Sequence, residues 1–158
     1  MNLPDAEHLA AELERLQFAR FGIAEAWEVA TAFQQRVRAD RLPVSLRIVL
    51  GEQIVVHLAA PGTSADTDSW LHRKVNTVRR FGTSTLAVLL TFEQRGPEFA
   101  ARAGLDPAQY ALGGGGYPIY AAGSLVGAAA VSGLPHLDDH ALVADLLRGV
   151  LDQARCRR

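Results

Sequence analysis

The sequence lacks the features that would place it in a membrane or outside the cell. One cysteine occurs among 158 residues, so no disulfide can form within the chain. No apolar run approaches the roughly 18 residues that span a bilayer. Residues 1–7 have neither the basic start nor the apolar core of a signal peptide. We therefore expect a cytoplasmic protein with no membrane partner.

An excess of charge of either sign is also missing. The formal net charge is -1, and the basic residues are scattered along the chain. Such a chain attracts a phosphate backbone only weakly, so we expect no nucleic acid partner. Hydrophobic residues make up 49% and charged residues 21%, the balance of an ordinary globular protein. We predict a single domain over residues 1–158, with 1–42 as an N-terminal helical part.

The known signatures of catalytic and nucleotide-binding sites are missing as well. No Ser-His-Asp order and no activated cysteine are present. The run Gly113–Gly116 lacks the Lys-Ser/Thr of a P-loop and does not follow a strand as a dinucleotide-binding loop must. We assign no catalytic residues and lean towards a protein that is not an enzyme.

Apolar residues at helical spacing predict helices at both ends of the chain and in its middle. The predicted ranges are 5–18, about 24–40, from Asp66 or Asp68 to 81, 85–94 and about 139–153. Gly82 ends the third helix and Ser84 caps the fourth. The run 86–90 is also compatible with a buried strand, because periodicity does not distinguish the two in a short apolar segment.

Alternating apolar residues predict two hairpins. The first covers residues 44–59, with a turn at Gly51-Glu52. The second pairs 119–122 with 125–132 around Gly123-Ser124, after a loop over 107–118. Two hairpins separated by helices indicate an α+β sandwich built on an antiparallel sheet.

The segment Val131–His140 contains two histidines with the i, i+4 spacing of a helical metal pair. Pro135 and the acidic pair Asp138-Asp139 instead favour a turn followed by a helix that an aspartate caps. His136 would then lie outside the helix. We interpret the segment as a turn and a cap and predict no metal site.

Two further features are open to a functional or a plain interpretation. The four-glycine run lies between Tyr110, Tyr117 and Tyr120 and indicates either a flexible turn or a ligand pocket with aromatic walls. Arg73 and Lys74 indicate either a solvated helix face or cations that meet a ligand carboxylate or a neighbouring subunit.

Three motifs taken together resemble the haem-degrading-domain family, also called GlcG/HbpS-like, and most of all its stand-alone, poorly characterised branch. They are Asp66-x-x-x-Trp70-x-x-Arg73-Lys74 with Phe81-Gly82-x-Ser84, then Tyr110-Ala111-x-x-Gly114-Gly115-x-Tyr117-Pro118-Ile119, and Val131-Ser132-Gly133-Leu134-Pro135 with Asp139-His140. The resemblance implies a five-stranded antiparallel sheet flanked by helices, somewhat profilin-like. It also implies a homo-oligomer, and some relatives bind haem.

The chain departs from the family pattern at three places. Thr67 stands where the branch often has asparagine, and Ser84-Thr85 replaces a pair of serines. Gly113 replaces a histidine expected just before the glycine pair. This last change removes either an axial ligand or a polar group and puts haem ligation through the loop in doubt.

Our first hypothesis is therefore a homo-oligomeric protein that binds a small ligand, with haem or a related tetrapyrrole as the candidate cofactor. The predicted ligand-binding residues are Trp70, Arg73, Lys74, Gly114, Gly115, Tyr117 and His140. The alternative is a non-catalytic scaffold or adaptor that acts through protein-protein contacts. An enzyme acting on haem or another small molecule is a third hypothesis, for which the sequence offers no catalytic constellation.

Overall fold

Five strands form one mixed sheet with six helices around it in the computed structural model, which describes residues 4–157. The strands are β1 (Gln17–Phe18), β2 (Ser45–Leu50), β3 (Gln53–Ala59), β4 (Gly116–Ala121) and β5 (Ser124–Ser132). The helices are α1 (Ala6–Arg15), α2 (Ile23–Asp40), α3 (Ala65–Phe81), α4 (Thr85–Arg95), α5 (Pro97–Ala103) and α6 (His136–Cys156).

The strands lie in the order β1-β4-β5-β2-β3. Both predicted hairpins, β2-β3 and β4-β5, are confirmed, and β2 also pairs antiparallel with β5. Only the two-residue β1 runs parallel to its neighbour β4. The predicted α+β fold with a five-stranded sheet and flanking helices is thus confirmed, with one parallel pair added.

Strand β5 shows how the sheet packs against helices on both faces. Ala128 and Ala130 pack with apolar residues of α3, whereas Ala129 and Val131 belong to the larger core on the side of α2 and α6. Side chains of successive strand residues point to opposite faces, which places these small residues alternately under each helical layer. Because alanine is short, α3 and α6 both lie close to the centre of the sheet.

The prediction of one helix over residues 5–18 is wrong at its C-terminal end. Asp5 caps α1 through the His8 N–H, and the helix ends at Arg15. Residues 17 and 18 form β1 instead, where Gln17 pairs with Tyr120. Phe18 is buried and packs edge-on against Phe21. The pairing partner lies about a hundred residues away in the chain, so local periodicity contains no signal for this strand.

Two other helix assignments are settled by the structure. The segment 85–95 is helical, and Ser84 caps it by accepting the Ala87 N–H at 3.2 Å. Helix α3 begins one residue earlier than Asp66, with Ser64 as its N-cap and Thr67 Oγ1 accepting the Ser64 N–H. The predicted caps Asp66 and Asp68 lie in the first turn instead. Helix α5 was not predicted.

The start of the last helix also differs from the prediction. Helix α6 begins at His136, directly after Pro135, so His136 is helical and Asp139 is not the N-cap. Asp139 lies in the first turn of α6, and its carboxylate accepts the Leu134 N–H from within the helix. Proline suits a helix start because it donates no N–H and the first N–H groups have no intrahelical partner.

The second hairpin begins three residues earlier than predicted. Strand β4 starts at Gly116, inside the run taken as a loop, and its turn uses Ala122 and Gly123, both with positive φ.

Over residues 4–157 the structure contains no helix that is both long and apolar enough to cross a membrane.

Two glycine positions test the packing. A Cβ at Gly127 on β5 would lie 2.1 Å from the Val49 carbonyl oxygen, whereas a Cβ at Gly149 on α6 would meet nothing within 4 Å. We expect Gly127→Ala to lower the free energy of unfolding by about 1–3 kcal/mol because the strands must move apart. Gly149→Ala should raise the free energy of unfolding by roughly 0.5–1 kcal/mol, because alanine loses less backbone freedom than glycine when the helix forms. Urea denaturation measures both, and equal effects would contradict this packing.

Candidate functional site

A cleft of about 500 Å³ opens between the first half of α3, the loop before β4 and the start of α6. It is lined by Asp66, Thr67, Trp70, Lys74, Leu89, Leu112, Gly113, Gly114, Ser132, Gly133, Leu134, His136 and Asp139. Apolar and polar groups both contribute to the wall. Clefts of this size with a few placed polar groups are typical of small-molecule sites.

A buried ion pair forms part of the cleft floor. Lys74 Nζ lies 3.0 Å from Asp139 Oδ2, with side chains only 6% and 3% exposed, and it also donates to the Val131 carbonyl at 2.8 Å. Burial lowers the pKa of Lys74, and attraction to Asp139 opposes this in part. Burial likewise raises the pKa of Asp139 against the opposing effect of Lys74. Both charges have lost most of their hydration, so the ion pair carries a desolvation penalty that its mutual attraction must offset.

The glycine loop lies against this pair because two of its residues lack side chains. A Cβ at Gly115 would lie 2.5 Å from Lys74 Nζ, and one at Gly114 would lie 1.9 Å from the His136 carbonyl oxygen. Side chains of α3 and α4 anchor the loop: Thr77 Oγ1 donates to the Ala111 carbonyl, and Thr85 Oγ1 accepts the Gly116 N–H. These two hydrogen bonds hold the loop against α3 and α4, and the loop forms part of the cleft wall.

His136 stands at the rim of the cleft, and its hydrogen bond determines its tautomer. Nδ1 accepts the Gly114 N–H at 3.3 Å, so the neutral ring carries its proton on Nε2. A metal-ligating histidine normally donates its second ring N–H to an oxygen acceptor, the opposite arrangement. His136 in this state is a hydrogen-bond donor to the cleft and does not fit as an iron ligand.

Trp70 and Arg73 form the outer wall beside the cleft. Trp70 is 39% exposed, and the Arg73 guanidinium lies 3.9 Å from its ring centroid. Arg73 also donates to the Pro107 carbonyl. It is not among the residues that line the cleft; it holds the tryptophan against α3 through a cation–π contact.

A second polar cluster lies away from the cleft and joins α1, β4 and α6. His140 Nε2 lies 3.0 Å from Glu12 Oε1, and Arg148 contacts the other oxygen at 3.4 Å. Burial raises the pKa of Glu12, but His140 and Arg148 outweigh it and hold the pKa below its usual range. Burial and the charge of Glu12 raise the pKa of Tyr117, whose ring packs 5.8 Å from that of His140. This cluster fixes α1 to the fold.

Of the seven predicted ligand-binding residues, five lie at or beside the cleft, including Arg73 against Trp70, and two lie in the second cluster. Trp70, Lys74 and Gly114 line the cleft, and Gly115 lies directly behind Lys74. Tyr117 and His140 are buried in the second cluster, 1% and 6% exposed. The two histidines that suggested a metal pair hold different partners, Gly114 and Glu12.

Sequence reasoning missed Asp139 as the partner of Lys74, and it missed His136 as part of the cleft. One signal was available for Lys74: it is the single lysine in a chain whose other basic residues are all arginines. No comparable signal pointed to Glu12, because its partner lies more than a hundred residues away in the sequence.

The sequence matches the family model described as "Haem degrading protein HbpS-like" over residues 21–148. The chain belongs to the HbpS-like family. A UPF0303 protein of Edwardsiella ictaluri is 41% identical over 140 residues, which cover 88% of this chain and 89% of that protein. A UPF0303 protein of Streptomyces coelicolor is 37% identical over 145 residues, covering 91% and 92%. The predicted resemblance is confirmed over most of the chain.

Solved structures share the fold at lower sequence identity. The crystal structure of Ybr137w protein superposes with a TM-score of 0.84 at 24% identity, covering 94% of this chain and 88% of that one. HbpS gives 0.66 at 23% identity, covering 84% and 90%. A PduOC:haem complex gives 0.67 at 19% identity, covering 82% and 94%. These similarities establish the fold of the HbpS-like chain.

The buried pair allows a direct test with a matched control on the same helix. Asp139→Ala leaves the Lys74 charge buried without its carboxylate, and we expect it to lower the free energy of unfolding by about 3–5 kcal/mol. Asp145 contacts Arg148 at 2.7 Å, but both side chains are about half exposed. Asp145→Ala should cost at most about 1 kcal/mol. Similar losses in urea denaturation would show that the floor of the cleft is open to water.

Proposed function

We propose that this HbpS-like chain binds a small organic ligand in the cleft between α3 and the glycine loop. The observation that carries the proposal is a fixed polar floor, Lys74 with Asp139, beneath a wall that includes the half-exposed Trp70. Trp70 is one of the few large apolar side chains left exposed in the described part of the chain. A ligand that stacks on the indole and meets the polar floor would use both features.

The HbpS-like family and the fold shared with a PduOC:haem complex support haem or a related tetrapyrrole as a ligand to test. The cleft itself does not favour ligation of the iron. His136 donates from Nε2, and His140 is buried against Glu12. Gly113 stands where the family resemblance led us to expect a histidine. The proposal is therefore a tetrapyrrole or other flat organic molecule held by its ring and polar substituents.

Haemin titration followed by visible absorption tests the tetrapyrrole version. We expect saturable binding at micromolar haemin without the spectrum of histidine-ligated iron, and His136→Ala should give the same type of spectrum. Trp70→Ala should weaken binding about tenfold, since an aromatic stacking contact is worth about 1 kcal/mol. Trp27→Ala is the control, because Trp27 lies on α2 and is 63% exposed. Absence of binding, or equal effects of the two tryptophans, would exclude a tetrapyrrole in this cleft.

A homo-oligomer is a second proposal, and it is the form in which a scaffold function would act. A groove of about 830 Å³ runs between α2 and α6 and includes Trp27, Ala32 and Leu146 in its lining. Ile23, on the same helix as Trp27, is 45% exposed. Contiguous exposed apolar groups of this kind are typical of protein contact surfaces, and a second copy of this chain is the partner we propose.

Native mass spectrometry of protein purified without added ligand tests both proposals together. We expect a mass of more than one subunit and a co-purified small molecule released on denaturation. Trp27→Ser should lower the subunit number without removing the small molecule. Trp70→Ser should remove the small molecule without lowering the subunit number. A monomer would contradict the oligomer. Absence of a co-purified molecule combined with no haemin binding would contradict the ligand-binding function.

A further inference from the structure

Lys74 is the one lysine or arginine that is buried in the described residues 4–157. Of the 16 lysines and arginines, it is the only lysine, and the other basic residues are all arginines. It is also 5% exposed, at the floor of the cleft. An arginine keeps its proton in proteins, whereas a buried lysine can release one and become a neutral amine. The chain therefore has a side-chain amine at one point only, and that point borders the cleft.

The contacts of the amine supply an acceptor for the proton that it must lose. Nζ donates to Asp139 Oδ2 at 3.0 Å and to the Val131 carbonyl at 2.8 Å. Burial favours the neutral form of both members of the pair, because it lowers the pKa of Lys74 and raises that of Asp139. Transfer of one proton along the 3.0 Å hydrogen bond converts the ion pair into an amine and a carboxylic acid. No solvent is needed for that step.

We propose that Lys74 is a nucleophile that captures an aldehyde or ketone in the cleft as an imine, with Asp139 carrying the proton. This inference rests on the proposed function, since it requires that the cleft admits a small organic ligand. It goes beyond that function by naming the reactive group and the chemical class of the ligand.

The steps balance in atoms and charge. The Lys74 ammonium gives a proton to Asp139, and the free electron pair of Nζ attacks the carbonyl carbon. The C–N bond forms while the π electrons move to oxygen, which takes a proton from nitrogen to give a carbinolamine. Asp139 then protonates the hydroxyl group, water leaves, and the nitrogen pair forms the C=N bond. The product is a protonated imine beside the Asp139 carboxylate, so the buried ion pair is restored.

The cleft wall indicates which carbonyl compounds fit. Trp70, Leu89 and Leu112 provide apolar surface, while Thr67 and the Nε2–H of His136 provide hydrogen bonds. An aldehyde or ketone with an aliphatic or aromatic body and a polar substituent matches this distribution. A bulky residue in place of Gly115 would fill the space beside Nζ.

Reductive trapping tests the proposal on the full chain. The protein is incubated with butanal or benzaldehyde and sodium cyanoborohydride, and the intact mass and peptide map are recorded. We expect one butyl or benzyl group on Lys74, and none on the corresponding peptide of Lys74→Arg. Because Lys74 is the only lysine, the α-amino group at the start of the chain is the remaining reactive amine, and the peptide map separates the two.

An internal reference decides whether Lys74 is activated. Arg38 is exposed on α2, and Arg38→Lys introduces an ordinary surface lysine into a protein that retains Lys74. A surface lysine with a pKa near 10.4 is about 0.1% unprotonated at pH 7.4, so we expect Lys74 to be labelled at least about tenfold faster. Asp139→Asn lowers the pKa of Lys74 further by removing its carboxylate partner, but it also removes the group that protonates the carbinolamine hydroxyl. We expect the second effect to dominate, so labelling of Lys74 should slow while that of the reference lysine stays unchanged. Circular dichroism checks the fold of each variant.

Labelling of Lys74 no faster than the reference lysine would overturn the proposal, and this comparison needs no substitution at the cleft. The same result with haemin binding or a co-purified ligand intact would leave the proposed function standing. A second result would contradict ligand binding in the cleft. If an aldehyde binds there before it reacts, the rate of Lys74 labelling should saturate with aldehyde concentration. Fast labelling that does not saturate, together with no haemin binding and no co-purified ligand, would therefore exclude the proposed function.

Discussion

The buried contact between Lys74 and Asp139 connects the elements on which the cleft depends. Lys74 comes from α3, Asp139 from the first turn of α6, and the Val131 carbonyl from the end of β5. A charge inside a protein requires a partner, so the pair holds these three elements at a fixed separation. The glycine loop then fits between them, because Gly114 and Gly115 have no Cβ to strike α6 or the lysine. The turn before α6 is tied to the same carboxylate through the Leu134 N–H.

The fold contains two polar clusters with different roles. The cleft cluster is open at Trp70 and His136, and it combines an acid, an amine and an apolar wall. The cluster of Glu12, His140 and Tyr117 is closed and links α1 to α6 within the larger core. Both arise from one short segment, since Asp139 and His140 are neighbours on α6 and point to different partners. A single helical turn therefore supplies the cleft and the attachment of α1.

Membership in the HbpS-like family fixes the fold of this chain more firmly than its chemistry. The fold is shared with solved structures of low sequence identity. Gly113 stands where the family resemblance led us to expect a histidine, and His136 accepts the Gly114 N–H at Nδ1, which leaves Nε2 as the donor. The ionisable groups that the structure places at the floor of the cleft are Lys74 and Asp139.

The sequence by itself determined the elements whose signals are local. Alternation predicted both hairpins, helical spacing predicted α2, α3 and α6, and Ser84 marked the start of α4, because caps, turns and periods act over a few residues. Trp70, Lys74 and Gly114 were also predicted as site residues and do line the cleft. Only the tertiary structure decided that Gln17 and Phe18 form a strand beside β4. It also decided that Asp139 pairs with Lys74 instead of capping α6, and that His140 contacts Glu12. In each of these cases the deciding partner lies far along the chain, and the energy comes from burying a strand edge or a charge, which local pattern does not measure.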